Sequence, residues 1–419
     1  MSCAASEPAI DAGRLWSDIM ALAEITEPDR PWTRRSFTPR FDEGREWLRR
    51  RMEADGLSVR IDAAGNMIGR REGSEPGAKA ILIGSHTDTV PSGGRFDGVA
   101  GVVVGMEIAR ALDSAGHVLR HPLEVVDFLA EEPSEFGLSC IGSRGMAGAL
   151  DAHMLAATRP DGLRLDDAIR AVGGAPEQLG APLRDDIAAY FELHIEQATQ
   201  LERAALSVGV VTGIAAVVRI AIRFEGVAAH AGATPMNQRA DALAPAAECV
   251  GVVRRLAEET VQGSNAHFVA TVGILDVHPN AANIVPGSAR LAVDIRAGEP
   301  GDADRFIARL DEESAKACAA HGVTRAGFDL ISRSDPALCD EGLRGRLEDA
   351  ACAAGYDTLS LGSGAGHDAM FVARLAPMAM LFTPCLGGRS HCPEEWAEAR
   401  DIGAGATTML GAIRALDAG

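Results

Sequence analysis

Between Lys79 and Val90 the chain reads AILIGSHTDTV, apolar along most of its length and polar at its end. Such a run is expected of a strand buried on both faces of a parallel sheet, which delivers its last side chains at the carboxyl edge. A Gly-rich loop, PSGGRFDG, follows, and Val99 to Ala115 then carries small and apolar residues without proline, the pattern of a packed helix. A second apolar strand, Leu123 to Ala130, ends in Glu131 and Glu132, and a third, Ala188 to Ile195, has His194 near its end. Strands alternating with helices predict a doubly wound α/β layer, and such layers place their sites at the carboxyl ends of strands. All three polar clusters fall there.

The pattern changes in the middle of the chain. Gly213 to Phe224 reads as a strand, Gln238 to Glu259 as a helix, His267 to Val277 and Ser288 to Arg296 as strands, Ala303 to Ala320 as a helix and Thr324 to Ile331 as a strand. The order β-α-β-β-α-β is that of a ferredoxin-like α+β unit. Beyond it, Gly342 to Ala354 predicts a helix, and TLSLGSGAGHDAM predicts a strand with a Gly-rich turn. The expected architecture is an α/β catalytic domain over residues 1–211 and 333–419, interrupted by an inserted α+β domain over residues 212–332, with hinges at Val211 to Gly213 and Ser332 to Asp335. There are no internal repeats.

A chain of 419 residues suits this division, because single cores stop growing near roughly 250–300 residues. A net charge of -19 argues against a nucleic-acid or anionic-membrane surface, since phosphate binding relies on clustered Lys and Arg, and leaves a small molecule as the expected partner. No N-terminal stretch pairs a basic segment with an apolar one, and no apolar run reaches the ~20 residues needed to span a bilayer, so a cytoplasmic protein is expected. The scattered cysteines, without a CxxC pair, read as free buried thiols; Cys392 stands out only because it follows His391.

The polar clusters supply what a catalytic metal site requires, imidazoles and carboxylates on rigid elements. His86 and Asp88 share one face of an extended segment, so Asp88 is expected to orient or polarise the imidazole. Asp97 can bridge cations or simply cap the helix that follows it. Adjacent Glu131 and Glu132 would repel each other unless a cation or a shared proton intervened. His194 with Glu196, and His391, are uninformative singly, each compatible with an ordinary satisfied histidine. Read together, they form a stronger pattern.

The ordered motifs GSHTDTVPSGGRFDGVAGV, FLAEE, ELHIEQ, HAGATPMNQRADAL, NIVPGSARLAVDIR, SGAGHDA and SHCPEEW resemble the hydantoinase/carbamoylase family of amidohydrolases, within the clan of aminoacylases and dinuclear metallopeptidases. The resemblance runs from about His86 to Trp396. It implies two divalent metal ions, whether zinc, manganese, cobalt or nickel, held by His86, Asp97, Glu132, His194 and His391, with Asp97 bridging. It implies Glu131 as general base, with the ions roughly 3.5–4 Å apart acidifying a water and polarising the substrate carbonyl. It places His230 and Asn283 at the carbonyl and carboxylate end of the ligand, and Arg296 as a fork for the substrate carboxylate, where the residues alone would allow a solvated strand-end charge. Gln197, Gly364, Ala365 and His367 are further candidates for substrate contacts, expected from the catalytic side. The inserted domain is expected to serve as a lid and to form a homodimer.

The chain departs from the family pattern at EEPSEFG, where Pro133 replaces a third acid, and at HIEQA, where Ala198 replaces glycine. Both departures bear on substrate choice rather than on hydrolysis. The expected reaction is hydrolysis of a linear amide C–N bond in an N-carbamoyl amino acid or related ureido acid. Its rivals are an aminoacylase or dipeptidase of the same clan and, from another class, a metal-free binding protein.

Overall fold

The computed structural model describes residues 7–264 and 266–419, which divide into two compact units. The first is built from the chain up to Thr212 together with Leu338–Leu361 and His367–Gly419.

Its core is a mixed sheet in which Leu123–Phe128, Ala80–His86, Ile187–Ile195 and Met378–Thr383 lie side by side in parallel. Antiparallel Met67–Arg71 and Ser58–Ile61 extend one side, and Val208–Ile214 the other. Every residue of Ala80–His86 is buried, which explains why its sequence is an unbroken apolar run rather than an alternating one. From this strand the chain passes first to a neighbour on one side, Leu123–Phe128, and then to one on the other, Ile187–Ile195. That reversal opens a crevice at the carboxyl ends of these strands, where α/β sheets hold their ligands. Helices Val99–Ser114, Ala12–Ala23 and Ala399–Ala418 pack on one another in the main hydrophobic core. Val99–Ser114 is buried from Val99 to Leu112, which explains why apolar residues occur on every side of it.

The second unit comprises Gly213–Ala337 and Gly362–Gly366. Its sheet has the order Thr324–Arg333, Ala216–Glu225, Ser288–Ala297, Phe268–His278, all antiparallel, with helices Leu243–Gly263 and Pro300–Ala320 in its core. In chain order this is 4-1-3-2, the arrangement expected of a ferredoxin-like unit.

Several boundaries differ from the sequence reading. The segment read as one strand from Gly213 is two, Val208–Ile214 and Ala216–Glu225, one in each sheet. The helix expected from Gln238 begins at Leu243, because Met236–Gln238 is a separate tight turn and the Asp241 carboxylate accepts the Leu243 N–H at 3.0 Å. The strand from Thr324 runs to Arg333, and Ser334 still exchanges hydrogen bonds with Val217, so the second unit continues past residue 332 to Ala337. Among the described residues no helix is long and apolar enough to cross a membrane.

Candidate metal centre

Within the first unit, five side chains from four distant segments converge. His86 ends one buried strand, and His194 lies near the end of its parallel neighbour. Asp97 sits in the loop before Val99–Ser114, Glu132 follows the strand Leu123–Phe128, and His391 lies in the loop after Met378–Thr383. One oxygen of Asp97, Oδ1, is 3.4 Å from His86 Nε2 and 3.3 Å from His194 Nε2. The other, Oδ2, is 3.4 Å from His391 Nε2, which is also 3.1 Å from Glu132 Oε1. Two three-residue groups thus form, His86–Asp97–His194 and Asp97–Glu132–His391, with Asp97 common to both.

The imidazoles are oriented for ligation. His86 Nδ1 is 3.0 Å from the Asp88 carbonyl oxygen and His194 Nδ1 is 2.9 Å from that of Ile195. A carbonyl only accepts, so each Nδ1 carries a proton and, in the neutral ring, Nε2 presents its lone pair toward Asp97. His194 Nε2 indeed accepts the Gly98 N–H at 3.3 Å. Gly98 has φ 65°, and a Cβ there would lie 2.3 Å from His86 Nε2, so only glycine fits beside the ring. Asp97 is not the helix cap that the sequence also allowed: Gly98 occupies that position, without a side-chain cap.

Charge argues for cations here. Asp88, Asp97, Glu131, Glu132, Glu192 and Asp368 are all buried. Burial alone would raise the Asp97 carboxyl, but His194, His391 and His86 hold it well below the usual carboxylate range. Burial pushes Glu131 well above that range, and Asp368, Glu132 and Asp88 add to the effect against the opposing pull of His86. Glu132 and Asp368 are raised chiefly by burial as well. An acid-rich pocket of this kind, with imidazole lone pairs directed into it, is the donor set that dinuclear divalent centres use, and the residues present fit such a pair.

The surrounding residues refine the sequence reading. The Asp88 carboxylate is 3.6 Å from His86 Nδ1, too long for a hydrogen bond, and accepts instead the backbone N–H groups of Glu131 at 3.1 Å and Glu132 at 3.3 Å. Asp88 therefore orients the glutamate pair, and its carbonyl rather than its carboxylate orients the imidazole. Glu131 Oε2 lies 3.6 Å from His86 Nε2, while its Oε1 is 3.4 Å from the Cys140 thiol. Gln197 donates to Asp97 Oδ2 at 2.6 Å. The His367 ring lies edge-on to His194 with centroids 4.5 Å apart, and burial and the nearby His194 hold it well below the usual imidazole range. Glu196 accepts the N–H groups of Gln200 and Leu201, capping a short helix rather than facing the centre.

The remaining expected residues lie in the second unit, including Gly364 and Ala365, which the sequence reading placed on the catalytic side. Ala229–His230 pairs with Ile284–Val285, and Ala231 donates to the Asn283 carbonyl at 2.9 Å, so His230 and Asn283 are neighbours on one ribbon. His230 Nδ1 accepts the Gly232 N–H at 3.1 Å. The Arg296 fork is engaged with Asp294 at 2.6 and 3.3 Å. A Cβ on Gly364 would lie 2.5 Å from His267 Nε2, and Ala365 N and O both meet Ser363 Oγ.

Sequence reasoning missed Ser390, Glu395 and Cys140 around the centre, and Glu192 beneath it. Glu192 was within reach: it precedes His194 by two on the same strand, and so shares its face.

The sequence pattern of Peptidase family M20/M25/M40 matches residues 82–415. An N-carbamoyl-L-amino-acid amidohydrolase of Paenarthrobacter aurescens is 38% identical over 97% of this chain and 98% of its own. A ureidoglycolate hydrolase of Oryza sativa is 36% identical over 97% of this chain and 85% of its own. Among solved structures, a hydantoinase/carbamoylase family amidase of Burkholderia multivorans superposes with a TM-score of 0.90 at 34% identity, covering 98% of both chains.

Proposed function

Because the chain belongs to peptidase family M20/M25/M40 and to the hydantoinase/carbamoylase amidases, we propose that it hydrolyses the linear C–N bond of an N-carbamoyl amino acid or related ureido acid, giving an amino acid, ammonia and carbon dioxide. The relatives named for ureido substrates support the substrate class. The observation that carries the mechanism is the sharing of Asp97 between two donor groups beside the buried Glu131.

In this reading His86, Asp97 and His194 hold one divalent ion, and Asp97, Glu132 and His391 the other. When bound, the ions supply Lewis-acid polarisation of the ureido carbonyl and acidify water. Glu131 accepts the proton of the attacking water and returns it to the departing nitrogen. Burial raises the Glu131 carboxyl in the metal-free chain, and nearby cations would favour the ionised form that accepts the proton. Asp88 holds Glu131 and Glu132 through their backbone N–H groups, so base and ligand share one anchor. Gln197 fixes the Asp97 oxygen it touches, and His367 lines the centre beside His194.

The second unit is assigned the role of lid and substrate clamp. With Nδ1 of His230 occupied as an acceptor, the ring's proton sits on Nε2, which makes it a donor to a carbonyl oxygen as negative charge develops there. Asn283 and Arg296 are assigned to the substrate carboxylate, Arg296 exchanging its Asp294 partner for the ligand. Gly364 and Ala365 supply backbone contacts. The edge strand Phe268–His278, with Ile274 and Leu275 exposed, supports pairing of two copies into a homodimer. Free and mostly buried cysteines support a cytoplasmic location.

The test is a substrate screen on the metal-reconstituted chain, with ammonia and free amine measured together. Equal release of both from N-carbamoyl amino acids is expected. Amine release from N-acyl amino acids or dipeptides, without ammonia from the ureido compounds, would assign the chain to the aminoacylase or dipeptidase class instead.

A further inference from the structure

Glu395 is buried and belongs to neither donor group, yet it touches both loops that feed the second one. Its Oε1 accepts three successive backbone N–H groups, from Arg95 at 2.8 Å, Phe96 at 2.7 Å and Asp97 at 3.2 Å. Consecutive amides closing on one oxygen form an anion-binding nest. Its Oε2 is 3.1 Å from Ser390 Oγ, and that hydroxyl is 2.6 Å from Asp97 Oδ2. One carboxylate therefore joins the backbone of the Asp97 loop to the residue beside His391.

The sequence keeps room for this link. Gly94 has φ 121°, and a Cβ there would lie 2.3 Å from the Glu395 carboxylate. The flanking aromatics close around it: Trp396 meets Phe96 edge-on with centroids 5.7 Å apart, and the Arg95 guanidinium lies 4.4 Å from the Trp32 ring and 4.7 Å from that of Trp396. Loops from opposite ends of the chain are thereby locked together.

The two donor groups do not depend equally on that lock. His86 and His194 stand on buried strands and are fixed by parallel ladders, His86 opposite Phe128 and His194 opposite Phe382. His391 stands on a loop, with φ 57° and its side chain 45% exposed, and has no such ladder. From this we infer that Glu395 is a positioning residue that holds Asp97 and His391 as one unit and selectively secures the ion held by Asp97, Glu132 and His391. The inference rests on the metal reading given above.

The test is a titration of the metal-stripped full chain with Zn²⁺ against a chromophoric chelator. The wild-type chain is expected to bind two ions. Glu395→Ala should keep the first near wild-type affinity and weaken the second about 10–100-fold, the usual effect of losing a residue that supports ligands. Glu395→Gln, whose amide oxygen still accepts the three N–H groups, should restore most of that loss. Thermal unfolding of the metal-free variants identifies any that fail to fold. If Glu395→Ala does, Ser390→Ala, which cuts only the tether to the His391 loop, should weaken the second ion alone. Wild-type affinity for both ions in Glu395→Ala, equal weakening of both, or unchanged affinity in Ser390→Ala would overturn the role. A wild-type chain that binds no zinc would remove the metal reading itself, and this role with it.

Discussion

Asp97 Oδ2 lies 3.4 Å from His391 Nε2, bringing the loop before Val99–Ser114 against the loop after Met378–Thr383. Since Oδ1 of the same carboxylate faces His86 and His194, removing its charge should affect both groups. Asp97→Asn is expected to bind at most one ion tightly and to lose at least about 100-fold in activity, more than is usual for residues that only support ligands. Metal content after dialysis checks this; two ions retained at wild-type affinity would show that the carboxylate is not shared.

Hydrogen bonding to Asp97 and Glu132 pushes the metal-free His391 imidazole up to about 11. A folded pKa raised above the unfolded value means that the protonated ring stabilises the metal-free protein below about pH 6.5, a contribution lost as pH rises through the folded value. A metal ion needs the neutral ring and must expel that proton. Binding at pH 7–8 should therefore release protons and tighten as pH rises, which calorimetry in buffers of different ionisation enthalpy will report. Uptake without proton release would contradict the assigned ligand.

Gly98 cannot be replaced without moving His86. Gly98→Ala should lose about 1 kcal/mol or more from the left-handed backbone alone. It should also displace the ring, since the new methyl would sit 2.3 Å from Nε2. The expected result is a lowered melting temperature together with weaker binding of the ion at the His86–Asp97–His194 position; wild-type metal affinity would rule out the assigned geometry.

Arg296 offers a planar fork now filled by Asp294. Arg296→Lys keeps the charge but loses the bidentate match, so KM for carboxylate-bearing substrates should rise about 10-fold with kcat much less affected. An unchanged KM would return Arg296 to a purely structural pairing with Asp294.

Much of this was legible in the sequence because the relevant signals were strong and local. The unbroken apolar run ending in His86 is what a strand buried on both faces requires, and the alternation in the middle segment gave the order of the second unit. What escaped depended on tertiary partners. Nothing around Asp97 distinguishes a helix cap from a shared donor until Gly98 is seen to take the cap position. Asp88 lies two residues beyond the strand that ends at His86, and its carboxylate turns to the Glu131 and Glu132 amides because those N–H groups converge on it in space. Glu395, in PEEW, looks like any surface acid until the 93–98 loop folds around it.

The central claim is that Glu131 moves the proton of an attacking water beside an assembled pair of ions. Turnover of an N-carbamoyl amino acid by metal-loaded Glu131→Gln, scored against its metal content, tests it most directly. The expected result is two ions per chain with kcat lowered about 100- to 10,000-fold, the usual contribution of a general base. Wild-type turnover in that fully loaded variant would contradict the account.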